Sequence, residues 1–177
     1  MHSSHIRFTS SGRKKILCFK EGGGHMDIRE LSEKDMKDAL ELVWTVFSEF
    51  EAPEYEPEGI AVFREFIAFD SISGMLSAGT MHIWGSFEGA MLTGVVATRG
   101  PGHISLFFVR KEHQRRGIAR TLFAVAEQYC RNLKLDNITV NSSPYAVEIY
   151  RRLGFIDTDF ETVTNGIRFT PMRYDIK

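Results

Sequence analysis

Gln114-Arg115-Arg116-Gly117-Ile118-Ala119 stands between an apolar run, Ile104-Ser105-Leu106-Phe107-Phe108-Val109, and an amphipathic one. After the loop, Ile118, Leu122, Val125, Ala126, Tyr129 and Leu133 recur at intervals of three and four, which is one face of a helix. The pattern predicts strand, tight loop, helix. The first turn of that helix holds no Asp or Glu. Arg115, Arg116 and Arg120 crowd it instead, at the end where the helix dipole is positive. Each such charge is locally unfavourable by about 0.3–1 kcal/mol. An anion seated on the free backbone N–H groups would remove the conflict, and Gly117 would let the backbone approach it closely or take a positive φ. A solvated basic loop that merely caps the helix is the plainer alternative.

Working outward, the 177 residues make one domain with room for an extension,. The hydrophobic fraction of 43% and charged fraction of 25% are those of an ordinary soluble globular protein,. A formal net charge of -1 gives no global field for nucleic acid or an anionic membrane surface,, and no apolar run approaches the length of a membrane span. Neither nucleic acid nor membrane is therefore expected as a partner, and the chain is expected as a monomer or homodimer. Only Cys18 and Cys130 are present, and Cys130 falls near the end of a helix as a packing residue. Reduced thiols and a cytoplasmic protein follow.

Residues 1–25 differ in composition from the rest, mixing Ser, His, Gly and basic residues around one short apolar patch, Ile16-Leu17-Cys18-Phe19. They read as an expression leader or N-terminal extension, with His25-Met26 as the junction; the alternative is a native arm with a strand pair, Ile6–Thr9 and Lys15–Lys20. Residues 26–177 form the domain itself. Met26–Leu31 is a short strand. Ser32 caps the next helix, with Asp35 as capping-box partner and Leu31 and Met36 as a hydrophobic staple. Glu49, Glu51, Glu54, Glu56 and Glu58 then form an acidic segment with no basic residue, broken by Pro53 and Pro57,. A second helix is expected over Glu58–Phe69 and a polar connection over Ser71–Gly79.

Strands are expected at Thr80–Phe87, Ala90–Thr98 and His103–Arg110, with turns at Glu88-Gly89 and Arg99-Gly100-Pro101-Gly102. Ile138–Ser142 should lie parallel to the His103 strand through the helix crossover. Ser143 caps a short helix with Pro144 at its first position, and Gly154 ends it. Two last strands, Phe155–Val163 and Ile167–Asp175, flank the hairpin signal Asn165-Gly166. The order gives one α+β domain on a mixed sheet.

The Gln114 loop resembles the acyl-CoA-binding loop of the GNAT superfamily of N-acetyltransferases, Gln/Arg-x-x-Gly-x-Gly/Ala, with Gln114, Gly117 and Ala119 at its three fixed positions. A second block of the family follows in order: Asn141-Ser142-Ser143-Pro144-Tyr145-Ala146, Ile149-Tyr150 and Leu153-Gly154-Phe155. The resemblance spans Met26 to Lys177. It implies a mixed, mostly antiparallel central sheet of about seven strands flanked by helices, splayed between the fourth and fifth strands. It also implies acetyl-CoA as cosubstrate and an amine as acceptor. By position, Phe107, Phe108 and Val109 would meet the pantetheine arm, and the amides of Arg115, Arg116, Gly117, Ile118 and Ala119 the pyrophosphate. Asn141 would orient the cofactor. Adjacent residues of a strand face opposite sides, so at most one of Phe107 and Phe108 is expected to line the cleft.

Tyr150 matches the family position that protonates the leaving thiolate; the alternative is a core tyrosine whose hydroxyl is satisfied by backbone. No cysteine sits in a nucleophile arrangement, so direct attack in a ternary complex is expected. The chain departs from many relatives in offering no glutamate on the fourth strand. His103 and Ser105 are what that strand carries, and Glu49 or Glu51 acting through water is the other route to a base. In the family the loop after the first helix walls the acceptor site. Glu49, Glu51 and Tyr55 are thus the acceptor-side candidates, and five carboxylates there favour a cationic acceptor. A non-catalytic acyl-CoA-binding or sensory domain of the same fold is the competing function.

Overall fold

The computed structural model describes residues 7–11, 14–21 and 24–177, with side chains from Met26 onward. Its strands are β1 (Arg7–Ser11), β2 (Lys14–Glu21), β3 (Gly24–Glu30), β4 (Met81–Glu88), β5 (Met91–Arg99), β6 (His103–Val109), β7 (Asn137–Ser142), β8 (Ile156–Asp157), β9 (Thr162–Thr164) and β10 (Ile167–Asp175). One sheet runs in the order β1-β2-β3-β4-β5-β6-β7-β10-β8, and β9 pairs with β10 off that path. From β3 to β8 this is the expected sheet of seven strands. Among these pairs only β6 and β7 run parallel, through the crossover helix. The arm strands β1 and β2 pair antiparallel, and β2 continues the sheet from β3; Ile6 of the anticipated strand pair lies outside the described residues.

Helices cover both faces. On one side lie α1 (Met36–Phe50), α2 (Pro57–Phe66) and α3 (Phe69–Ser77), over a core that includes Leu42, Phe47, Ile72 and Leu106. On the other lie α4 (Ile118–Asn132) and α5 (Val147–Leu153), over Val96, Leu122, Ala126 and Ile138. The entry to α1 is tied down as its capping signal predicts. Ser32 N–H and Oγ both donate to Asp35 Oδ2 at 2.8 Å, and Arg29 pairs with the same carboxylate at 2.8 Å. That guanidinium holds Asp35 well below the usual carboxylate range. At its other end α1 gives way at Glu51 to a single 3-10 turn, Ala52–Glu54, and α2 opens with Pro57 in its first position, where the missing N–H has no cost. The two prolines thus turn the chain sharply and leave Glu51 at the inner corner.

Three expectations need correction. Ser71–Gly79 is not a polar connection, since most of it belongs to α3: Ile72, Met75 and Leu76 recur at three and four and pack on the α1 core. The chain breaks at Ile67–Ala68, where Ala68 is extended at φ -57 and ψ 143. Ser143 does not cap α5. Ser143–Ala146 closes a turn, Ala146 N–H to Ser143 O at 3.0 Å, with Pro144 in the position that favours its fixed φ, and α5 starts four residues later at Val147. The strand expected over Phe155–Val163 is split into β8 and β9. On α4, Phe123 and Cys130 are buried, while Leu133 is 50% exposed.

Two local features shape the site. The β5–β6 register slips between Ala97 and Thr98, so that Ala97 faces Leu106 while Thr98 faces Ile104. Ser105 is the extra residue of this bulge, and a bulge bends its strand. The parallel β6–β7 ladder holds only at His103–Thr139 and Ile104–Val140, and past the bulge the two strands part. The second feature closes the opposite wall. Asn165 and Gly166 both have positive φ, 50 and 72, as a two-residue hairpin turn demands. The turn lies against the start of α2, with Glu56 N–H donating to Gly166 O at 3.2 Å.

This joint admits only glycine. A Cβ on Gly59 would sit 2.2 Å from the Gly166 oxygen. Gly59→Ala should therefore cost about 1–3 kcal/mol of overpacking. Gly74→Ala, inside α3 with nothing within 4 Å of its Cβ, should gain about 0.4–1 kcal/mol. Urea midpoints that move together for the two variants would refute the joint.

Candidate active site

The open edge of β6 is the backbone of the site. Arg110 N–H donates to Thr93 O at 2.9 Å, which fixes the alternation of the antiparallel ladder. Phe107 and Val109 consequently turn their backbone groups to the gap left by β7, while Phe108 turns its own toward β5. The Val109 carbonyl accepts from Gln114 Nε2 at 3.2 Å. The side chains of Phe107 and Phe108 do face opposite sides, Phe107 packing near Tyr150 and Phe108 near Phe63. Both nevertheless line the cleft, because the cleft passes through the gap in the sheet rather than along one face.

Two cavities meet there. One, of about 470 Å³, runs from Phe107–Val109 to the start of α4 and is walled by Gln114, Arg115, Gly117, Ile118, Ala119 and Arg120. Arg115 and Gly117 are both left-handed, φ 62 and 81. The α4 cap carries no side-chain hydrogen bond and no acid in its first turn, so the first N–H groups of the helix have no partner in the usual way. Arg152 and Tyr145 complete this cavity from the α5 side. The other, of about 400 Å³, lies between β6, β7, α2 and the β9–β10 hairpin. Phe63, Phe66 and Phe169 give it apolar walls, and Arg99, His103 and Asn141 polar ones. Only Glu51, Phe107, Phe108, Ala146 and Tyr150 line both. A third hollow, of about 700 Å³ beneath the loop of Phe160, shares no lining residue with them.

The junction is chemically distinctive. Burial pushes the Glu51 carboxyl up to about 7; Ser143 pulls the other way without reversing it. Ser143 Oγ falls short of hydrogen-bond geometry and has no partner. Glu51 keeps partial accessibility, through the cavities it lines rather than at the outer surface. Tyr150 is 5% exposed. Burial first, then the charges of Glu51 and Tyr55, hold its phenol far above the ordinary range, and Tyr55 is raised likewise by burial and Glu51. The Tyr150 hydroxyl makes no hydrogen bond among the described residues, unlike a core tyrosine anchored to backbone. Of the five buried polar side-chain atoms left without a partner among the described residues, Ser105 Oγ, Ser143 Oγ and His113 Nδ1 border one cavity or the other. Leaving such an atom unmet costs about 1–3 kcal/mol; each has almost no accessible surface of its own.

The family pattern described as Acetyltransferase (GNAT) domain matches residues 51–176. The chain belongs to the GNAT acetyltransferase family. Solved structures repeat the fold at low identity. A GCN5-related N-acetyltransferase from Rhodopseudomonas palustris superposes with a TM-score of 0.73 at 18% identity, over 84% of this chain and 94% of that one. PaiA N-acetyltransferase from Thermoplasma acidophilum, solved in complex with coenzyme A, gives 0.70 at 19%, over 85% and 98%. A GNAT acetyltransferase from Staphylococcus aureus gives 0.69 at 12%, over 86% and 99%. No curated protein matches the chain in sequence. GNAT acetyltransferases use acetyl-CoA as acyl donor.

The 470 Å³ cavity suits that donor. Unpartnered helix amides and Arg115, Arg120 and Arg152, none of them within ion-pair reach of a carboxylate among the described residues, face it. These are the groups a pyrophosphate needs. Of the residues expected with the cofactor, Asn141 lines the other cavity, and the Arg116 side chain turns away, its Nη1 3.9 Å from Glu88, while its backbone stays in the loop between Arg115 and Gly117. Of the acceptor-side candidates, Glu51 and Tyr55 line the second cavity, but Glu49 is paired with Lys111 and lines neither. Arg99, Arg152 and Ser143 escaped the sequence reading; each sits in a turn or helix end where its residue type is commonplace.

Gly117→Asp places a side chain and a negative charge in the anion site and forces an L-residue to φ 81. Calorimetry should find CoA binding abolished in the folded variant. Unchanged affinity would remove the loop from the cofactor site.

Proposed function

We propose that this GNAT domain transfers the acetyl group of acetyl-CoA to a primary amine, of a small molecule or peptide, by direct attack with both substrates bound. The observation that carries the reading is that Glu51 and Tyr150 line both cavities at their junction. The donor supplies an activated acyl carbonyl on a thiolate leaving group. Every other requirement falls on this chain. An ammonium must lose a proton before it attacks, and a carboxylate with its pKa near 7 is matched to that task at neutral pH,. Among the described residues Glu51 is also the only carboxylate lining the acceptor cavity, and so the counter-charge for a cationic amine. As the C–N bond forms and the C–S bond breaks, the thiolate takes a proton, which the Tyr150 hydroxyl gives; burial keeps that phenol protonated, and it has no hydrogen-bond partner among the described residues. Among the described residues no cysteine lines either cavity, in keeping with transfer that involves no acyl-enzyme. Cys130 is a free thiol packed at 0% exposure, which accords with a reducing, cytoplasmic setting.

His103 is a poorer base. It lies four residues from Phe107 on β6, roughly 13 Å along an extended strand, its Nδ1 is engaged by Thr139 Oγ1 at 2.9 Å, and burial followed by Arg99 lowers its pKa.

If Glu51 is the base, kcat/KM should rise with pH to a plateau above about 7. Glu51→Gln should remove that limb and lower kcat by about 10²–10⁴-fold. The same group must act on stability in the opposite sense to a salt-bridged carboxylate. Its folded pKa lies above the unfolded value of about 4.3, so its contribution is fully present at low pH and is lost as pH rises to about 7,. Glu51→Gln should melt above wild type at pH 8 and level with it near pH 4. A variant that keeps the activity limb disproves the assignment.

Tyr150→Phe should lower kcat about a hundredfold and leave the Kd for acetyl-CoA nearly unchanged. A destabilised but fully active Tyr150→Phe enzyme would show a core tyrosine instead.

A further inference from the structure

The acceptor cavity has a second charged end. Arg29, Arg131, Arg151, Arg168 and Arg173 each sit beside a carboxylate, at 3.8 Å or less. Arg99 has none within ion-pair reach among the described residues. Its guanidinium instead lies over the Phe66 ring, 5.4 Å from the centroid, and both residues line the acceptor cavity. The other unpaired arginines that border a cavity among the described residues, Arg115, Arg120 and Arg152, line the one that suits the cofactor's pyrophosphate.

Position separates Arg99 from the chemistry. Arg99 is the register partner of His103, at the end of β6 remote from Phe107, so that roughly 10–13 Å of strand lies between it and the junction. The intervening wall is apolar, with Phe63, Phe66, Phe107 and Phe108. Ser105, on the bulge between the two ends, adds a buried hydroxyl without a partner. The cavity thus pairs a carboxylate at one end with a cation at the other across an aromatic middle.

We propose that the acceptor is an amphoteric molecule, with a primary amine at Glu51, an apolar body along the phenylalanines, and a carboxylate or phosphate that Arg99 receives. This rests on the amine-transfer reading and narrows it. A planar guanidinium over an aromatic ring, 5.4 Å from its centroid, keeps the N–H fork that carboxylate and phosphate both fit.

The test measures binding and turnover separately. The full chain saturated with CoA is titrated calorimetrically with ω-amino carboxylates of four to eight carbons, the corresponding ω-aminoalkyl phosphates and the neutral ω-amino amides. Wild type, Arg99→Gln and Arg99→Lys are compared, with thiol release from acetyl-CoA followed on the same series. One anionic series should bind wild type at least about tenfold more tightly than its amide at the best length. The gap should close in Arg99→Gln and partly return in Arg99→Lys, with amide affinity unchanged throughout. The better series identifies the anion. Arg99 is exposed, and unchanged CoA affinity in each variant shows that the fold is intact. Equal affinity for anionic and neutral probes, absence of binding by every anionic probe, or a gap that survives in Arg99→Gln overturns the inference. Acetylation without charge preference would leave amine transfer standing and the inference refuted. Arg99-dependent binding without acetylation would keep Arg99 as an anion site but remove the amine-transfer reading, and with it the acceptor role that the inference gives the ligand.

Discussion

The parallel ladder between β6 and β7 lasts two residues, and the site depends on its ending there. Inside a sheet an unpaired strand edge is a liability, a row of N–H and C=O groups without partners. Here the bulge at Ser105 bends β6 away just past Ile104. Phe107 and Val109 are left facing a gap through the middle of the sheet. The Gln114 amide takes one of the exposed carbonyls, so the loop that opens α4 is tied to the strand that it follows. The same gap explains why two neighbouring phenylalanines both reach the ligand space although their side chains point to opposite faces.

Charge is distributed along this gap in a definite order. Unpaired arginines and free helix amides stand at the α4 end, Glu51 at the junction, and Arg99 at the far end. Some carboxylates elsewhere are neutralised locally, Asp35 by Arg29 and Asp157 by Arg151. The acidic segment shows the difference that placement makes. Of its five glutamates, Glu49 is matched by Lys111, and Glu54, Glu56 and Glu58 are exposed, where water and salt screen them over about 8 Å. Glu51 alone is carried inward by the turn between α1 and α2, and burial there pushes its pKa up to about 7.

The parts that the sequence makes legible are those set by local rules. The helix after Gly117 follows from its 3.6-residue period, the Asn165-Gly166 turn from the need for two positive φ values, and the tight loop before that helix from Gly117, which takes φ 81. What stays hidden depends on contacts between distant segments. Glu51 looks like its neighbours until Pro53 and Pro57 fold α2 back across it. Arg99 reads only as the start of a turn until α2 brings Phe66 beneath it. Gly59 is unremarkable in a helix until the Gly166 carbonyl, more than a hundred residues on, arrives where its Cβ would be. The helix α3 was concealed for a different reason: its polar residues and Gly74 outweigh three apolar ones spaced for a single narrow face.

The two groups at the junction show how one environment separates an acid from a base. Withdrawal from water disfavours the charged form of each, so both pKa values rise. For a carboxyl that ordinarily titrates near 4.3, the rise ends at about 7, where an appreciable fraction is ionised and the proton affinity is high enough to be of use. For a phenol that ordinarily titrates near 10, the same rise only removes the anion further from reach. Their mutual repulsion acts in the same direction, because an ionised Glu51 opposes ionisation of Tyr150. The junction therefore needs no separate device to assign the proposed roles. Burial alone leaves the carboxylate as the group that can accept a proton and the phenol as the group that must keep one until a thiolate forms beside it.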